Sequence, residues 1–330
     1  MAEYINIRGQ NIEVVASDPA NPTIGQIWYN STSNTLKGGG VTTVGSWATG
    51  GNLNTARTRI AGTGTQTAGL AFGGYIGTGN TGATEEYDGN SWTNSNNMNT
   101  ARGFLSGTGL QTAALAFGGD TGFPTAVPST ATEEYDGASW TNSNPLNTSR
   151  YGLAGAGIQT AVVAFGGTQD PPLLASTEEY NGTSWTSVNS MNTARQRTAP
   201  AGIQTAALAA GGTSGTGVTG ATEEYDGNSW TTVNSLNTAR SASGGAGIQT
   251  AALVFGGNPP APGFSTATEE YDGTSWTSTT SMSTARYLLA GAGTQPSALA
   301  FGGSNGATTF GATEEWTGAG AAVTKTITVS

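Results

Sequence analysis

A chain of 330 residues with 52 Gly, a formal charge of −10, no Cys and no His has a narrow range of chemistry open to it. Disulfides, thiolate or imidazole metal ligands and imidazole acid–base catalysis are excluded, and so acidic a chain lacks the basic patch that a nucleic-acid partner requires. The opening Met1-Ala2-Glu3-Tyr4-Ile5-Asn6 has neither the basic nor the apolar region of a secretory leader, and no stretch reaches the roughly 18 apolar residues of a membrane span, so neither a signal peptide nor membrane insertion is expected.

In chain order, residues 1–44 come first and differ in character from the rest. Tyr4 to Arg8 and Ile12 to Val15 flank Gly9-Gln10-Asn11 and predict a hairpin, Asp18 to Pro22 a turn, and Ile24 to Lys37 a second hairpin. From residue 45 the sequence repeats. Trp47, Trp92, Trp140, Trp185, Trp230 and Trp276 recur at spacings of 45, 48, 45, 45 and 46. Ten residues after each Trp stands an Arg (Arg57, Arg102, Arg150, Arg195, Arg240, Arg286), and sixteen after each Arg a Gly pair begins. Every unit also carries Thr-Glu-Glu followed by Tyr, or by Trp in the last unit at Trp316.

Four strands fit one unit. Strand a is predicted from Thr58 to Gly64, strand b from Gln66 to Phe72, strand c from Ala83 to Tyr87, and strand d around Trp92. Strand b is apolar on both faces, as a strand sandwiched between neighbours must be. Asp88-Gly89 is a hairpin step, because Gly accepts positive φ without cost. Four antiparallel strands at a period near 46 predict an all-β, six-bladed β-propeller. The last unit lacks a Ser-Trp after Gly318, whereas Gly45-Ser46-Trp47 stands ahead of the first Arg, so the N-terminal part is expected to supply the last blade's fourth strand. Val323 to Val329 alternates apolar and polar residues and reads as an additional strand in a tail covering 319–330.

A Gly-Gly doublet, a Tyr, a Trp and then an Arg make each unit resemble a kelch repeat over roughly residues 45–318, which implies the propeller fold but not one function. The stretch Ile24 to Lys37 resembles a segment found near the start of structural and fibre proteins of tailed bacteriophages, especially marine ones. That resemblance implies a virion protein, a tail-fibre or decoration component that docks on other virion proteins through residues 1–44 and meets a host-surface glycan or protein. An intracellular kelch adaptor is the alternative, and a homo-oligomer is compatible with either.

No catalytic constellation emerges, and a non-enzyme with no cofactor is expected. The six Glu-Glu pairs cannot act as dyads, since adjacent strand residues face opposite sides; one Glu of each is expected to pair with a repeat Arg, because a buried charge needs a partner. The Asp-Gly turns lack the D-x-D spacing of a calcium loop. A copper oxidase of the kelch class requires His and Cys, and the Asp88 to Trp92 spacing departs from a sialidase Asp box. Arg59 and Arg197 are extra cations at one position of blades one and four, which a six-fold ring places opposite each other. The b–c intervals alone vary in length, so the candidate binding residues lie there: Tyr75, Asp120, Phe123, Leu173, Leu174, Phe264 and Phe310.

Overall fold

The computed structural model describes residues 12–19, 25–41, 44–260, 262–320 and 322–327. Two compact units divide the chain, one of residues 46–317 and one formed by 1–45 with 318–330. Every regular element among the described residues is a β-strand.

The larger unit contains six four-stranded antiparallel sheets. In blade 1 strands a to d are Ala61–Thr65, Ala68–Phe72, Thr84–Tyr87 and Trp92–Ser95. Blades 2 to 5 repeat this at 106–143, 154–188, 199–233 and 244–279. Blade 6 takes its first three strands from 290–317 and its fourth from Ser46–Gly50, with Trp316 opposite Trp47. The predicted ring closure is therefore observed. Strand a starts at Ala61, three residues later than expected, because Arg59 has φ 56° and takes the chain out of extended geometry.

The core lies between blades rather than within them. Phe72 ends strand b of blade 1 and meets Trp140 of blade 2, ring centroids 5.0 Å apart; Phe117 meets Trp185 and Phe165 meets Trp230 in the same way. Each of these phenyl groups is wholly buried, which at about 25 cal/mol per Å² makes this seam the main source of stability. Polar groups tie the same seams. Gln111 donates from Nε2 to the carbonyls of Gly69 and Tyr87 in the preceding blade, and Gln159, Gln204, Gln249, Gln295 and Gln66 repeat the contact around the ring.

The Glu-Glu pairs divide their work as strand geometry demands. Glu85 points inward and accepts from Arg57 Nη2 at 2.9 Å, while Arg57 Nη1 donates to the carbonyls of Gly73 and Ala83. All six repeat Arg are paired with the first Glu of a block, and both partners are buried in each case. In five of the six blocks the second Glu accepts from a Tyr hydroxyl one blade on, as Glu134 does from Tyr180 and Glu179 from Tyr225. Burial and that carboxylate together push the Tyr180 hydroxyl up to about 12.

In the smaller unit Ile27–Asn30 and Thr35–Val41 form the expected second hairpin, flanked by Glu13–Val15 in parallel and by the tail strand Ala322–Thr326. Asp18 accepts from Asn30 Nδ2 and Trp28 Nε1, which hold its carboxyl below the ordinary range. The expected strand from Tyr4 to Arg8 lies outside the described residues.

Candidate functional site

Every blade enters its inner strand through the residue two places after the repeat Arg. These six residues, Arg59, Phe104, Gly152, Arg197, Ala242 and Leu288, all have φ between 52° and 61°. Left-handed backbone costs a non-glycine residue about 1–3 kcal/mol, yet five of the six are not glycine. The conformation is held by a closed circle of backbone hydrogen bonds. Phe104 N–H donates to Arg59 C=O at 2.9 Å, Gly152 to Phe104, Arg197 to Gly152, Ala242 to Arg197, Leu288 to Ala242, and Arg59 to Leu288. This circle rims the central channel at the mouth from which the b–c loops emerge.

The circle fixes six backbone positions and leaves six side chains free to differ. Arg59 and Arg197 converge on the ring of Phe104, each guanidinium carbon 4.6 Å from its centroid. Arg59 also lies 4.7 Å from the Tyr75 ring. These are cation–π distances, and they bring the two arginines, on opposite blades, within twice 4.6 Å of each other. Among the described residues neither has a carboxylate within ion-pair distance, and Arg197 Nε is buried with no hydrogen-bond partner. Burial lowers the Arg197 pKa and the like charge of Arg59 adds to this, while Tyr151, Tyr287 and Asp170 act in the opposite direction.

A cleft of about 230 Å³ opens beside this cluster, lined by Arg59, Phe104, Phe123, Tyr151, Asp170 and Arg197 among others. Asp120 also reaches it, with Oδ1 accepting from the backbone of Gly122 and Val127, so this carboxylate organises the longest b–c loop. The Tyr151 hydroxyl lies near Asp170; burial first, then that carboxylate, push the hydroxyl up to about 12. Tyr75 and Phe123 pack at 5.0 Å, and Phe123 remains half exposed. Farther round the rim Phe264 stacks on Tyr287 at 4.5 Å, nearly parallel.

Of the seven candidate loop residues, the structure brings Tyr75, Asp120 and Phe123 to the cleft or against its arginines. Phe264 lies on the rim. Leu173, Leu174 and Phe310 serve the scaffold through their backbones: Thr168 bridges Leu173, Arg195 N–H donates to Leu174, and Arg57 N–H to Phe310. Sequence reasoning missed Phe104, Tyr151 and Tyr287. The signal was the one variable stretch next to an invariant Arg, which reads Thr-Arg, Gly-Phe, Tyr-Gly, Gln-Arg, Ser-Ala and Tyr-Leu around the ring.

The opposite face differs. Four successive a–b turns carry half-exposed apolar side chains, Leu110, Ile158, Ile203 and Ile248, where blades 1 and 6 have Thr65 and Thr294. Its c–d turns are capped internally, Asp88 Oδ1 accepting from the backbone of Asn90 and Ser91. Among the described residues no cluster of acidic side chains could hold a metal ion, and no helix is long and apolar enough to cross a membrane.

No family model matches this sequence, and no curated protein is similar to it in sequence. Solved structures do resemble its fold. The structure of YjhT superposes with a TM-score of 0.67 at 13% identity, covering 84% of this chain and 97% of that one. At that identity the likeness concerns architecture alone, and with the six repeated sheets it establishes the chain as a six-bladed β-propeller.

Proposed function

We propose that this chain is a non-catalytic recognition module of a tailed-phage virion, which binds a host-surface glycan through the face bearing the b–c loops. One observation carries the reading: on a scaffold repeated six times, the b–c loops of that face vary in both length and content, and the rim beside them changes from Arg to Phe, Gly, Ala and Leu. A rigid frame with variable loops is how propellers and other scaffolds present binding surfaces. Aromatic rings at the rim, with arginine and carboxylate groups between them, suit stacking against sugar rings and hydrogen bonding to their hydroxyls. The resemblance of Ile24 to Lys37 to phage structural proteins supports the virion setting, with residues 1–44 docking on other virion proteins.

A second reading, a protein-binding adaptor or homo-oligomer, is favoured by the apolar arc of Leu110, Ile158, Ile203 and Ile248, since grouped exposed apolar residues mark protein contacts. Replacing the Asp120–Ala131 loop by the shorter Thr213–Ala221 loop tests the first reading. The swapped protein should keep its folding transition and lose binding to host cells and to a glycan array. Unchanged binding would instead move the site to the opposite face, where Leu110→Ser with Ile158→Ser would then abolish it.

A further inference from the structure

The cation inventory of this protein is unusual. It has eleven Lys and Arg in all. Six are consumed in buried pairs with glutamate, and Lys37 lies 4.0 Å from Asp18. In an acidic chain with 21 Asp and Glu, Arg59 and Arg197 nevertheless stand together with no carboxylate of the described residues in ion-pair contact. Both are held in the costly left-handed conformation, and both are drawn onto one aromatic ring. Of the two carboxylates that line the same cleft, Asp120 is engaged by two backbone amides, and Asp170, near the Tyr151 hydroxyl, acts on Arg197 from beyond ion-pair distance. Two like charges held close and partly desolvated repel each other, and an anion bound between them would relieve that repulsion.

The surroundings narrow the class of anion. Planar guanidinium groups match a planar carboxylate, to which they donate paired hydrogen bonds. The cleft of about 230 Å³ falls below the roughly 300–1,000 Å³ of sites for drug-sized ligands, which suits a single sugar ring. Phe123 and Tyr151 line it with aromatic rings, and the exposed carboxylate of Asp170 can accept from hydroxyls. We propose that Arg59, Arg197 and Phe104 form a carboxylate subsite at the channel mouth, which seats an acidic sugar of the hexuronic acid class. This rests on the glycan reading above and adds to it a requirement for negative charge.

The test uses the full chain with galacturonic acid, galactose and galactose 6-sulfate as probes, followed by titration calorimetry or ligand-observed NMR. Galacturonic acid should bind about ten- to hundredfold more tightly than galactose, the span that hydrogen bonds to a charged group supply, and more weakly as salt is raised. Arg59→Asn and Arg197→Asn remove the charge while keeping a residue that tolerates positive φ, and each should erase most of the preference with an unchanged melting temperature. If either fails to fold, Arg59→Lys and Arg197→Lys, which keep the charge without the planar fork, should retain part of it. Equal binding of galactose and galacturonic acid, or a preference that survives both Asn substitutions, overturns the proposal and leaves the glycan reading standing. Equal affinity for the sulfated sugar overturns the carboxylate assignment in favour of a general anion subsite. Binding of poly-glutamate but of no saccharide overturns the glycan reading and the proposal together.

Discussion

The guanidinium of Arg102 donates to Glu133 at 2.9 Å, and both side chains are shielded from solvent. The same Arg gathers the carbonyls of Gly118 and Ala131, and Glu133 accepts from the backbone of Asn99 and Thr100. One ion pair thus organises three chain segments, and removing one partner strands the other charge in the interior. Arg102→Ala should destabilise by about 3–5 kcal/mol. Arg59→Ala, which strands no carboxylate, should cost under about 1 kcal/mol. Urea unfolding of the two variants decides the matter; equal small effects would refute the structural role of the repeat arginine.

Ring closure makes a sharper demand. Deleting residues 1–50 removes the strand that pairs with Thr313–Thr317 and leaves two open edges, so the fragment should aggregate and lose its cooperative transition. Deleting residues 1–23 spares that strand, and the protein should melt as one unit. Size-exclusion chromatography with calorimetry distinguishes the cases.

Glycine is a packing requirement at Gly107. A Cβ there would lie 2.1 Å from Cζ of Phe72, a ring that cannot retreat because Trp140 backs it. Gly107→Ala should cost about 1–3 kcal/mol by overpacking. Gly79→Ala, where nothing lies within 4 Å, should leave the denaturation midpoint almost unmoved.

Glu270 breaks the pattern of the second glutamates. Its counterparts accept from a Tyr hydroxyl of the following blade, but that position is held by Trp316, whose Nε1 donates to Gln295 C=O instead. Burial raises the Glu270 pKa. The folded protein therefore holds this proton more tightly than the unfolded chain does, and the associated stability is present below the ordinary carboxylate value and lost as pH rises past the folded one. Glu270→Gln should raise the urea midpoint at pH 8, and the gain should shrink toward pH 4. A gain independent of pH would show that charge is not its cause.

Much of this was legible in the residues. Invariant Trp-to-Arg and Arg-to-Gly intervals mark a scaffold whose geometry is the same in every unit, and Gly45-Ser46-Trp47 out of place at one end implied closure. The pairing of each repeat Arg with one Glu followed from alternation along the strand and the cost of an unpaired charge. The channel mouth was less legible. Arg59 and Arg197 could be placed on opposite blades, but a left-handed backbone at Phe104 or Leu288 contradicts the local preference of those side chains. It arises only because six neighbours complete one another's hydrogen bonds, a cooperative effect with no trace in any single repeat.

The closing strand Ser46–Gly50 has a consequence for biosynthesis. A ribosome adding roughly 5–20 residues per second needs on the order of 15–50 s between making this segment and making Thr313–Thr317, its partner. Throughout that interval Trp47 has no sheet to join, and the incomplete stack of blades exposes a free edge at each end. Long-range pairing of this kind slows folding and leaves the nascent chain open to misassembly. A polysome holds many such chains close together, and the near-identical blades allow one chain's Ser46–Gly50 strand to close another chain's last blade. The device that seals the finished ring is thus also the point at which two rings under construction can exchange strands.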